Sequence, residues 1–415
     1  MRASRSKGTN RMKSLIYFVI GIGLIGGVSF MLLGLAQAKA ENKPESAKVD
    51  EPNETNTSES EIIEENPYTE IQIAAAGDIM FHDTQLKSGY DEGSNSYDFK
   101  SVFEDVKNII STADLAIANF ETTTAGDAQP YTGYPVFNSP DEVIDAIQHA
   151  GFDVLTTANN HSLDTGSKGL KRTVEVINTK GLETVGTYSK KPESRILIKE
   201  VKGIKIAILS YTEMINSVGT QYAPDELNDM INMMDKDKVI QDIQEAKDSG
   251  ADLIMAFMHW GNEYEENPSE KQIEYAELMA QEGVNIILGS HPHVIQKSEY
   301  IEVGEQKSFV IYSMGNFISN QRMETLSSKN ELTEDGVIVK FDIRKNNETN
   351  ETTIEQVNYV PTWVYRNMEE GQSKFTYRIL PIENFLNSSE IIDEFKPRMQ
   401  RSMDETVAKM EGTPF

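Results

Sequence analysis

The hydrophobic positions change texture three times along the chain. From Leu15 to Ala36 they form one uncharged apolar run, and from Glu41 to Pro67 they almost vanish among Glu, Ser, Thr, Asn and Pro. From Ile71 onward, short β-prone runs alternate with segments of helical periodicity, the pattern of βα units on a mainly buried sheet. Strands are expected at Ile71–Ala76, Leu115–Ala118, Val154–Thr157, Ile204–Ser210, Leu253–Phe257, Val284–Leu288, Phe309–Tyr312 and Gly336–Ile343. The spacing predicts a helix over Phe99–Ile110. Another is expected behind Ser139-Pro140-Asp141-Glu142, read as a capping box with proline at the first helical position, and a third behind a Ser269/Gln272 box. After Asn346 the pattern turns hairpin-like, and Ile391–Met410 reads as a closing helix. The chain shows no internal repeat.

The first apolar run exceeds the roughly 20 residues a helix needs to cross the hydrocarbon core. Arg2, Arg5, Lys7, Arg11 and Lys13 all precede it, and positive flanks stay cytoplasmic. The expected layout is therefore a cytoplasmic segment over 1–14, a single-pass cell-membrane anchor over 15–36, and the rest of the chain outside. Ala36-Gln37-Ala38 also has the shape a signal peptidase accepts, and cleavage there would secrete the protein instead. Residues 37–68 cannot bury enough apolar surface to offset chain entropy and are expected to form a disordered acidic linker. An α/β domain is expected over 69–345, completed by a hairpin and helix over 346–415.

Composition narrows the chemistry. With 39 Lys and Arg against 66 Asp and Glu, the formal charge is −27, which excludes a general electrostatic hold on nucleic acid phosphates. The absence of cysteine excludes disulfides, thiolate metal sites, cysteine nucleophiles and a lipid-modified cysteine. Any metal must be held by His, Asp, Glu or Asn.

Those residue types gather directly after the apolar runs. Gly77-Asp78, Asn119-Phe120-Glu121, Asn159-Asn160-His161, His259-Trp260-Gly261 and Ser290-His291-Pro292-His293 each follow one. In an open α/β sheet the carboxyl ends of parallel strands are where ligands bind. Of six histidines in the chain, four (His161, His259, His291 and His293) fall in these windows. Taken singly, each motif is commonly a turn, a cap or a solvated carboxylate. Jointly they point to one shared site for divalent metal ions such as Mn, Fe or Zn, because imidazole, carboxylate and amide donors suit such ions better than an all-oxygen calcium cage does. A His-x-His in a loop aims alternate side chains to one side, so His291 and His293 can each reach a metal, with Pro292 stiffening the turn between them.

These motifs, followed by Ser313-Met314-Gly315-Asn316-Phe317 and taken in this order, resemble the bacterial capsule synthesis protein family CapA, over roughly Ile71 to Phe341. That family is similar to calcineurin-like metallophosphoesterases, so the resemblance implies a four-layer α/β/β/α sandwich with a two-metal centre. By motif it implies Asp78 and His293 at one metal, Asn160, His259 and His291 at the other, and Glu121 bridging them. His161 would be the general acid or would steady developing negative charge. The wider enzyme pattern places a histidine two residues after the first aspartate, where this chain has Met80; His82 stands nearby but is left out of the ligand set. Trp260, Glu263, Asn316 and Asp164 would line the pocket or support it.

Two ions about 3.5 to 4 Å apart suit attack on a phosphoester or an amide carbonyl. The first functional expectation is a membrane-anchored, metal-dependent hydrolase or transferase acting on an anionic surface polymer such as poly-γ-glutamate, working with polyglutamate synthase or export proteins. A non-catalytic component of a capsule export machine is the second, and a surface metallophosphoesterase the third.

Overall fold

The computed structural model describes residues 66–216, 224–411 and 413–414. The cytoplasmic segment, the expected anchor and nearly all of the linker lie outside the described residues. Among the described residues no helix is long and apolar enough to cross a membrane.

Two β-sheets pack face to face in a mixed α/β fold. The larger, of nine strands, runs in the order Thr376–Pro381, Thr352–Asn367, Asp335–Asn346, Tyr68–Ile79, Leu115–Phe120, Val154–Thr156, Glu183–Val185. The short Asn316–Ile318 strand pairs in parallel with the end of Tyr68–Ile79. The smaller sheet has six strands, ordered Ser298–Val303, Gln306–Ile311, Ile286–Ser290, Leu253–His259, Ile204–Thr212, Leu197–Val201. All eight expected strands are present, and residues past 346 add two antiparallel strands, of 16 and 6 residues, to the larger sheet.

Alternation along each strand decides which layer it feeds. Ile71, Ile73 and Ala75 face the smaller sheet, where Ile206, Met255, Phe257 and Leu288 meet them. Ala74 and Ala76 face outward, under the helices Glu104–Ser111, Glu142–Ala150 and Gly166–Thr179. On the far side, Lys236–Asp248 and Glu270–Gln281 cover the smaller sheet through Val239, Ile243, Ala276 and Met279. Strands buried on both faces must be apolar throughout, which is why these read as continuous runs. Each large aliphatic side chain so buried contributes about 1.5–3 kcal/mol.

Three local expectations are corrected. Phe99–Ile110 is not one helix: a 3-10 turn over Lys100–Val102 precedes an α-helix that starts at Glu104. The Asp98 carboxylate accepts the Lys100 N–H at 3.0 Å, which fixes that tight turn. Ser139 caps nothing, because its hydroxyl sits 2.9 Å from that of Thr122, and the helix begins at Glu142. The Ser269/Gln272 box is formed as expected. The closing helix is shorter, spanning Lys396–Lys409.

Tyr68–Ile79, Leu115–Phe120, Val154–Thr156 and Glu183–Val185 are mutually parallel, as are Ile204–Thr212, Leu253–His259, Ile286–Ser290 and Gln306–Ile311. Their carboxyl ends therefore open on one edge of each sheet, and the polar residues of both edges meet there.

Candidate metal centre

Asp78 ends its strand beside two partners, paired in register with Asn119 on one side and Asn316 on the other. Asn119 donates to Asp78 Oδ1 at 2.7 Å, and the backbone N–H of His291 donates to Oδ2 at 3.2 Å. His293 Nδ1 lies 3.2 Å from the same Oδ2 and 3.2 Å from Asn316 Oδ1, which leaves its Nε2 turned toward Glu121 Oε1, 3.9 Å away. His259 is held at Nδ1 by Ser290 Oγ at 3.0 Å. Its Nε2 stands 3.0 Å from Asn160 Oδ1 and 3.4 Å from Glu121 Oε1. In both imidazoles one ring nitrogen is fixed by a polar neighbour and the other is presented to the cluster, the arrangement typical of histidine ligands.

The structure thus brings Asp78, Glu121, Asn160, His259, His291 and His293 into one buried neighbourhood. Donor atoms of Glu121, His259 and His291 all lie within 4.8 Å of one another, as do those of Asp78, Glu121 and His293, so Glu121 belongs to both sets. Neither Glu121 carboxylate oxygen has a hydrogen-bond partner, nor does His291 Nδ1. A fully buried carboxylate without donors is costly. Burial first and Asp78 second push the Glu121 pKa well above the ordinary carboxylate range. Burial likewise holds His259 well below the usual imidazole value and brings His291 down to about 3, so both rings are neutral lone-pair donors at neutral pH. A divalent cation would supply the partner these atoms lack, and the donor set fits one.

His291 and His293 both adopt left-handed backbone conformations, with φ of 93° and 59°. Such conformations cost non-glycine residues about 1–3 kcal/mol each, and here the His291 N–H bond to Asp78 helps hold them.

His161 stands at the edge of the cluster. Asp164 Oδ2 lies 2.7 Å from its Nδ1 and also accepts the Phe137 N–H at 2.7 Å. The Phe137 ring packs edge-on against the imidazole at 4.7 Å. His161 lines a cleft of about 240 Å³ together with Met80, His82, Glu263, Tyr264 and His293. His82 keeps to the cleft wall: its N–H is taken by Gln85, and burial lowers its pKa to about 4. Trp260 is a packing residue, buried with its indole N–H on the Tyr312 carbonyl at 2.9 Å.

Sequence reasoning named Asn119 and Ser290 only as parts of motifs, yet they orient Asp78 and His259. The signal for Asn119 was the two-residue period of a strand, which puts it on the same side as Glu121.

A family model described as bacterial capsule synthesis protein PGA_cap matches residues 72–321. The capsule biosynthesis protein CapA of Bacillus anthracis is 30% identical over 286 residues, covering 66% of this chain and 64% of that protein. The PGA biosynthesis protein CapA of Bacillus subtilis (strain 168) is 28% identical over 287 residues, covering 66% of this chain and 68% of that protein. The match to the anthracis relative thus spans a little under two thirds of its length. Among solved structures, the chain is similar to the NAD nucleotidase of Haemophilus influenzae, with a TM-score of 0.45 and 13% identity over 83% of this chain and 64% of the other. It is also similar to the calcineurin-like phosphoesterase YfkN of Bacillus subtilis, with a TM-score of 0.41 and 14% identity over 82% of this chain and 99% of the other.

Proposed function

The chain belongs to the bacterial capsule synthesis protein PGA_cap family, and from that premise we propose that it is a metal-dependent hydrolase or transferase acting on an anionic surface polymer such as poly-γ-glutamate. The observation that carries this reading is the buried, unpartnered Glu121 carboxylate shared by two sets of imidazole and carboxylate donors. Asp78 and His293 would hold one divalent ion, Asn160, His259 and His291 a second, and Glu121 would bridge them, with Mn, Fe or Zn as the candidates. When bound, such ions supply Lewis acidity and positive charge for an anionic substrate.

The chain's own residues account for the rest. Asp164 fixes the orientation of His161 through Nδ1, and the other ring nitrogen of this cleft-lining imidazole would pass a proton to a leaving group. The Phe137 ring, packed edge-on against that imidazole, helps hold it in place. The apolar run over Leu15–Ala36 supports anchoring to the cell membrane with residues from 37 onward outside, where a surface polymer and its synthase or export proteins would be met.

Elemental analysis of the full-length chain, followed by assays on poly-γ-glutamate and on a generic phosphodiester, tests this. The expected result is bound Mn, Fe or Zn together with cleavage or transfer of the polymer. Failure to bind metal under replete conditions would overturn the reading in favour of a non-catalytic part of an export machine. Turnover of the phosphodiester alone would favour a surface phosphoesterase.

A further inference from the structure

Glu263 carries no role in the arrangement described so far, yet it faces the metal cluster from the solvent side. Donor atoms of Glu263, His291 and His293 all lie within 4.8 Å of one another, and Glu263 is exposed while both imidazoles are buried. An exposed loop carboxylate is ordinarily just solvated, so the question is whether this one is held in place.

It is pinned from both ends. On one side the Gly261 N–H donates to Glu213 Oε2 at 3.0 Å, in a turn where Gly261 has φ of 85°. On the other, Tyr264 adopts a left-handed backbone, φ 68°, and its N–H donates to the Pro292 carbonyl at 2.8 Å, which ties the loop directly to the His291–His293 segment. Gln296 then holds the carbonyls of Glu265 and Asn267 at 2.8 and 3.1 Å. One of the two imidazoles it stands beside has an open nitrogen: His291, on a side chain 3% exposed, leaves Nδ1 without a hydrogen-bond partner. Met80 shares the same cleft, and its thioether is a poor ligand for a hard ion.

We infer that Glu263 is a metal ligand of this centre, supplying from the solvent side the carboxylate that completes coordination next to His291 and His293 and that an incoming substrate group can displace. This rests on the metal-centre reading above. A carboxylate on a pinned but exposed loop suits that task, because it can be exchanged without opening the core.

The test compares the full-length wild-type chain with Glu263→Gln, Glu263→Asp and the neighbouring control Glu265→Gln, measuring Mn²⁺ binding by equilibrium dialysis and the visible absorption of the Co²⁺-loaded forms. Glu263→Gln is expected to bind one ion at least about ten-fold more weakly, and to alter the Co²⁺ band intensity as a ligand is lost. Glu263→Asp should recover part of the affinity, and Glu265→Gln should match wild type. Wild-type affinity and an unchanged Co²⁺ spectrum in Glu263→Gln would overturn this inference alone. A wild-type chain that binds neither ion would overturn both this and the metal centre itself.

Discussion

His293 Nδ1 lies 3.2 Å from Asp78 Oδ2, although the two residues leave different sheets. Asp78 is the point where the sheets are stitched at the site, since it also takes the Asn119 side chain and the His291 backbone N–H. Removing its carboxylate strands these donors in a dry interior. Asp78→Ala is therefore expected to lose metal and to destabilise the metal-free chain by about 2–5 kcal/mol. Elemental analysis and chemical denaturation in chelator check the two parts separately, and an unchanged midpoint would show that the donors find water instead.

His161 and Asp164 divide their roles. His161→Ala should lower kcat by about 10²–10⁴-fold, the usual worth of a placed general acid. Asp164→Asn keeps the ring but weakens its hold at Nδ1 and at the Phe137 N–H, so a smaller fall in kcat with little change in KM is expected. Both variants should retain metal. A loss of metal in either would mean that the pair supports the cluster and not the proton.

Glu121 makes the metal-free chain sensitive to alkali. Its pKa is raised in the folded chain, so the folded state keeps a proton that the unfolded state gives up; stability is fully present below the ordinary value of 4.5 and is lost as pH rises toward the folded value. His291 acts in the opposite sense: its pKa is lowered to about 3, so its contribution is present above 6.5 and is lost as pH falls toward about 3. Glu121→Gln removes only the first effect. In chelator at pH 8 this variant should exceed wild type by about 1–3 kcal/mol, with the gap closing toward pH 4. Added Mn²⁺ should raise the wild-type melting temperature more than that of the variant. Equal melting curves in chelator at pH 8 would refute the penalty assigned to the buried carboxylate.

Much of this was legible in the sequence because strands buried on both faces must be apolar and must surrender their first polar residues at their ends, so Asp78, Asn160, His259 and His291 announce themselves by position. What was hidden depended on who meets whom in space. Ser139 reads as a cap until Thr122 takes its hydroxyl, and Phe99–Ile110 reads as one helix until Asp98 tightens its first turn. Asn119 and Ser290 are ordinary polar residues until the two sheets bring Asp78 and His259 against them. The left-handed His291 and His293 carry no local signal, since the loop is shaped by a bond to a residue far away in the chain.

Gly77 shows how closely the backbone itself sets the site. A Cβ at this position would stand 2.0 Å from the Gly315 carbonyl oxygen, a backbone atom that cannot swing aside as a side chain tip would. That same carbonyl accepts the Asp78 N–H at 3.1 Å, so the segment bearing Asn316 is locked against the strand bearing Asp78 by an approach only glycine permits. Gly77→Ala must force the two segments apart and turn Asp78 away from Asn119 and His293. The expected cost is about 1–3 kcal/mol or more, accompanied by metal binding at least about ten-fold weaker. Gly304→Ala is the matched control, because nothing lies within 4 Å of a Cβ there, although its φ of 64° adds backbone strain of its own. If Gly77→Ala loses no more metal affinity than Gly304→Ala, the close approach does not position Asp78.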